Sequence, residues 1–166
     1  MSGRSTSQPR SGCPVSVSLE MLGDRWSLLI VRDLMVRGLR TFRQFQESGE
    51  GIATNILASR LRRLQEVGII VAEEDESDRR RVAYRLTAKG IELAPILFEL
   101  LLWGARNERT AAPAPAIEKM AAEREAFLEE VRRRWRERDP TPLIPKFTSP
   151  TTRSQNRPKN KRSKKA

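Results

Sequence analysis

Residues 54–68, TNILASRLRRLQEVG, constrain the fold more than any other stretch of the chain. At about 100° per residue, Leu57, Leu61 and Leu64 fall in one narrow stripe, and Asn55, Ser59, Arg62, Arg63 and Glu66 lie on the opposite side. A helix of this pattern buries one side in a core and carries a polar, partly cationic ridge on the other. Gly68 ends the helix, and the β-prone run IIVAEED follows. Further on, Val82, Tyr84 and Leu86 alternate with Arg81, Ala83 and Arg85, the period of a half-buried strand. The charged stretch between the two runs is therefore the tip of a β-hairpin. It sets Glu73, Glu74, Asp75, Glu76 and Asp78 beside Arg79, Arg80, Arg81 and Arg85.

Upstream, Val15, Leu19 and Leu22 recur at helical spacing and stop at Gly23. Trp26, Leu29, Ile30 and Leu34 form a second helical face that ends at Gly38. Thr41 and Phe42 fit a very short strand, followed by a brief helix with Phe42 and Phe45 on one side and closed by Gly49 and Gly51. Downstream, Thr87 caps a helix over 88–107, with Pro95 near its first turns or kinking it. Its apolar residues from Ile96 to Trp103 cover nearly all sides, more than one small domain can bury, so a second subunit is the natural cover. A Pro/Ala linker then leads to an amphipathic helix over 117–138.

Charge narrows the function classes. Lys and Arg exceed Asp and Glu by two in residues 1–12, by one in 13–107, by none in 108–140 and by eight in 141–166. Most of the excess is thus in a low-complexity basic tail, which lacks the apolar residues of a core and supports weak, non-specific phosphate binding. The chain contains no histidine and a single cysteine, which removes the commonest general base and metal ligand. No catalytic constellation, metal site or cofactor is expected. Neither a signal-peptide core nor a run long enough to span a bilayer occurs, so a soluble, cytoplasmic protein without membrane partners is expected.

The order of elements is that of a mainly α, winged helix-turn-helix domain with a small β-hairpin wing, an extra C-terminal helix and a disordered basic tail. The expected organisation is a disordered arm over 1–12, the winged domain over 13–107, linker and helix over 108–140, and the tail over 141–166. The GEG turn joins the two helices of the motif, and the ridge over 54–67 is the recognition face. The hairpin over 72–85 is the wing, reaching backbone or minor groove beside the major groove. Candidate DNA contacts are Thr54, Asn55, Ser59, Arg60, Arg62, Arg63, Arg79, Arg80 and Arg81. Asn reads adenine and Arg reads guanine, whereas Thr54 at the helix start serves the cap or a phosphate. Solvated surface is the alternative for the ridge, a structural ion pair for Arg60, and internal pairing for the wing charges; Arg85, on the strand, is structural. Trp26, Phe42, Phe45 and Trp103 are core or interface residues, with a ligand pocket as the alternative. An architectural or RNA-binding protein working through the tail is the rival function, and an enzyme a distant third.

Residues 13–107 also resemble the HxlR-type transcriptional regulators. The resemblance runs through Cys13-Pro14, the Gly-x-x-Trp of 23–26, the Arg-x-Phe of 40–42, the Leu-x-x-Arg-Leu of 57–61 and the Tyr-x-Leu-Thr-x-x-Gly of 84–90. It implies a bacterial, homodimeric regulator of double-stranded DNA whose last domain helix, over 88–107, forms the dimer contact. The family pattern often has Ser where this chain has Ala53, leaving Thr54 as the local cap candidate. Some relatives use a cysteine at the place of Cys13 for redox or electrophile sensing; the plain alternative is a packing residue. A single thiol can form only an intersubunit disulfide, a mixed disulfide or an adduct. The effector remains open between a small molecule and a redox signal. The pattern ends near residue 110, so the later helix and the tail are additions.

Overall fold

In the computed structural model, the described residues are 11–75 and 80–144. The arm over 1–10, Arg79 with its neighbours 76–78, and the tail from 145 onward lie outside them. The chain runs α1 (Pro14–Leu22), α2 (Arg25–Val36), α3 (Phe42–Gln46), α4 (Thr54–Glu66), β1 (Ile70–Glu74), β2 (Val82–Leu86), α5 (Ala88–Ile91), α6 (Ala94–Asn107), α7 (Ala114–Ala122) and α8 (Arg124–Glu137). This is the expected mainly helical, winged arrangement.

Leu57, Leu61 and Leu64 are buried in one core with Ile30, Val31, Leu34 and Phe45. Each buried leucine contributes roughly 1.5–3 kcal/mol relative to an exposed one, enough to hold α4 against α2. β1 and β2 pair antiparallel with Ile70 opposite Leu86, Ala72 opposite Tyr84 and Glu74 opposite Val82. Burial follows position along the hairpin: Leu86 at the base is buried, while Val82 near the tip is exposed. The expected short strand is a single bridge between Thr41 and Ala83, supported by Tyr84 N donating to Arg40 O at 2.7 Å.

Three long-element expectations need correction. The helix expected over 88–107 is two, broken at Glu92–Leu93, because Pro95 lacks an amide proton and fits only the first turn of α6. The helix expected over 117–138 is also two, broken at Glu123. Here tertiary packing decides, with α7 lying on α6 and α8 on both α2 and α6. Residues 141–144, assigned to the unstructured tail, pack on the domain instead. Leu143 N and Ile144 N donate to Val36 O at 2.7 and 3.2 Å, and Ile144 is buried. Gly38 permits this return of the chain: at φ +70° a Cβ added to it would sit 1.9 Å from Pro140 O, so any side chain there collides with backbone.

Candidate nucleic-acid interface

Local chemistry fixes how α3 and α4 meet. Thr41 opens α3 with a reciprocal cap: its hydroxyl accepts from Gln44 N at 3.4 Å, and Gln44 Oε1 accepts from Thr41 N at 2.9 Å. After the turn, Gly51 takes φ +72°, a left-handed conformation that favours glycine. The cap of α4 is Ala53, in extended conformation and without a side-chain hydrogen bond. Thr54 is the first helical residue rather than the cap. Its hydroxyl accepts from Gln46 Nε2 at 2.7 Å, which ties the two helices of the motif together.

The opposite ridge of α4 is exposed at Asn55, Ser59, Arg62 and Arg63. Arg63 has Glu66 at 3.8 Å, a loose exposed contact worth little. Among the described residues, Arg62 is within ion-pair distance of no carboxylate. Arg60 points elsewhere: its Nε lies 3.1 Å from Asp24 Oδ1, close enough for an ion pair but without hydrogen-bond alignment. Asp24 also caps α2 by accepting from Trp26 N and Ser27 N, both at 3.0 Å, and from Ser27 Oγ at 2.6 Å. The Arg60 side chain thereby connects α4 to the start of α2, the structural alternative weighed from the sequence. That partner is 36 positions away, so no local pattern reveals it.

On the hairpin, Arg80 and Arg81 are exposed at the described edge of the tip, where Asp75 N donates to Arg81 O at 2.9 Å. Glu73 is engaged by Arg138 of the segment after α8 at 3.3 Å, so one of the wing acids pairs outside the wing. Arg85 donates to Trp135 O at 3.1 Å, and Trp135 Nε1 donates to Leu86 O at 2.8 Å. The C-terminal extension therefore braces the base of the wing, a role the sequence pattern did not expose.

Three further features are exposed outside the α4 ridge. Ile96, Leu100 and Trp103 form an apolar stripe on α6 that is 51%, 48% and 59% exposed. Val15 and Leu19 on α1 are exposed as well. Cys13 is exposed at the cap of α1, where the amides of Ser16 and Val15 draw its thiol below the usual range. Phe45 is core, 6.2 Å from the Tyr84 ring, and the Arg25 guanidinium lies 4.2 Å over Trp26. Among the described residues, no acidic, cysteine or histidine cluster is placed to hold a metal, and no helix is long and apolar enough to cross a membrane.

The arrangement has known counterparts. The chain is 41% identical over 93 residues to the HTH-type transcriptional regulator Rv3095 of Mycobacterium tuberculosis, covering 56% of this chain and 58% of that one. It thus spans less than two thirds of that relative's length. YybR of Bacillus subtilis, also an HTH-type transcriptional regulator, is 31% identical over 98 residues, covering 59% of this chain and 78% of that relative. Among solved structures, PA1607 superposes with a TM-score of 0.58 at 46% identity, covering 66% of this chain and 73% of that one. The redox regulator HypR in its oxidised form superposes with a TM-score of 0.53 at 30% identity, covering 58% of this chain and 99% of that one. The sequence pattern of the HxlR-like helix-turn-helix family matches residues 21–112, more than half of the chain, and with the helix, turn and wing in place the chain belongs to that family.

Proposed function

We propose that the protein is a homodimeric, sequence-specific transcriptional regulator that places α4 of each subunit in the major groove of double-stranded DNA. The supporting observation is the ridge of α4, where Asn55, Ser59 and Arg62 face water beside a motif fixed by Gln46–Thr54 and Asp24–Arg60. Asn55 and Arg62 carry base contacts, Ser59 and Arg63 complete the ridge, and Thr54 orients the helix start. Arg60 acts by holding α4 to α2. Arg80 and Arg81, with Arg79, lie along the phosphates beside the groove. The exposed α6 stripe supports the dimer contact, which sets the two recognition helices about 34–36 Å apart.

The test is selection of bound duplexes from a random pool with the full chain and Arg62→Ala in parallel at about 150 mM salt, where phosphate contacts alone bind weakly. A palindromic motif that weakens or changes with Arg62→Ala supports the reading. Binding without any motif, falling equally with salt for every sequence, contradicts it.

Cys13 supports a redox response of the same protein, because its thiol is exposed and its thiolate is favoured by the helix start. Similarity to a redox regulator is consistent with this reading. Diamide treatment followed by non-reducing electrophoresis checks it: a cross-linked dimer is expected from the wild type and none from Cys13→Ser.

A further inference from the structure

Beside the DNA-facing half, α2 and α6 are spread apart around a cleft of about 600 Å³, within the range that holds small ligands. It is not lined by Trp26, Phe42, Phe45 or Trp103, the aromatics that raised a ligand pocket in the sequence. Leu28 and Met35 come from α2, and Leu97 and Leu101 from α6. Ala112, Phe127 and Ile144 close another side, two of them beyond the stretch matched by the family. The extension therefore turns the gap between two family helices into a walled site.

The charged lining has one sign. Arg25, Arg32 and Arg37 contribute to the cleft, and no carboxylate does among its lining residues. Asp33 and Glu50 stand behind it and take up Arg32, at 2.7 and 2.9 Å, and Arg37, at 3.2 and 3.6 Å. Arg25 stacks on Trp26 and, among the described residues, lies within ion-pair distance of no acid. Three guanidiniums against two carboxylates leave one positive charge at the edge of an apolar cleft.

Gly104 is a separate observation. It lies inside α6, where glycine is one of the least favourable residues, yet a Cβ added there meets nothing within 4 Å. Close packing does not require the glycine. Its missing side chain leaves the cleft open, since Gly104 is part of the lining.

We propose that this cleft binds a small organic anion whose apolar body lies between α2, α6 and Phe127 and whose carboxylate or sulfonate meets Arg25. Leu100 lines the cleft and also belongs to the α6 stripe assigned to the dimer contact, so the cleft borders that contact; binding does not require DNA, and only its use as an effector site rests on the DNA reading.

The test is calorimetric titration of the full chain with octanoate and, separately, with 1-octanol. One octanoate per chain is expected, with 1-octanol at least about tenfold weaker because it lacks the charge. Arg25→Gln should bring octanoate down to the level of 1-octanol. Gly104→Leu and Ala112→Leu fill the cleft from two points of its lining, and each should abolish binding; circular dichroism identifies a variant that does not fold, and the other variant then decides. If both fillings fail to fold, the Arg25→Gln arm still decides. Equal binding of octanoate and 1-octanol, or octanoate binding that survives a folded cleft-filling variant, overturns the proposal. So does absence of octanoate binding, including the case in which a second copy of the chain occupies the cleft.

Discussion

Two helices of this protein are rich in arginine, and they use it in opposite ways. On α8, Glu130 accepts from Arg133 and Arg134, in each case at 2.7 Å, Glu137 pairs with Arg133, and Glu129 accepts from Arg136 at 2.8 Å. On α4, Arg62 is left to water and Arg63 has only a loose neighbour. α4 holds three arginines and one glutamate, α8 five arginines and four glutamates. What separates a nucleic-acid face from a structural one is whether its cations are already satisfied by carboxylates one or two helical turns away. Arg133 and Arg134 of α8 therefore belong to a brace, and the weaker-looking α4 carries the proposed reading face.

Detaching the brace without touching α4 should produce the largest effect. Gly38→Ala puts a Cβ against Pro140 O and disfavours the left-handed backbone, so a loss of about 3 kcal/mol is expected in urea unfolding. An unchanged midpoint would mean that the return over 140–144 is not anchored there. Within the helix-turn-helix half, Asp24→Ala removes the cap of α2 and the partner of Arg60, with roughly 1–2 kcal/mol lost, mostly from the cap, and a smaller loss of under about 1 kcal/mol expected on removing Arg60. A double-mutant cycle with Arg60→Ala measures the coupling, and strict additivity would dissolve the proposed link.

Smaller changes sharpen the same contrast. Trp135→Phe keeps most of the ring but removes the bond to Leu86 O, which should cost about 1 kcal/mol and raise amide exchange at the wing base. The α8 network also has an acid signature. Arg133 and Arg134 hold Glu130 at about 2, below its ordinary 4.5, so its stabilisation is present above about pH 4.5 and is lost as pH falls toward 2. Glu130→Gln should flatten that part of the pH–stability curve. A curve of unchanged slope would show that the network is loose in solution.

Much of the helix-turn-helix half was visible in the sequence because its signals are local. The leucine stripe of α4, the alternation of β2 and the glycines of the turn each act within a few residues, and the elements appear where these patterns end. Long-range facts were not visible. Arg60 finds Asp24, Thr54 finds Gln46, and Trp135 finds Leu86 across gaps that periodicity does not sense. Breakage of the final helix at Glu123 has no proline or glycine to announce it; the two packing surfaces of α6 and α2 impose it. Pro95 did announce a disturbance, but its local pattern left open whether the helix would kink there or start anew, and the chain starts anew at α6.

The central claim is that the unsatisfied arginine of α4 reads DNA and the satisfied arginines of α8 do not. Fluorescence anisotropy on the selected duplex, with the wild type, Arg62→Ala and Arg133→Ala side by side, tests it most directly. Loss of a base contact predicts a drop of about 10- to 100-fold for Arg62→Ala, with Arg133→Ala within about threefold of the wild type after correction for the folded fraction. Equal losses for the two variants, or a larger loss for Arg133→Ala, would contradict the account.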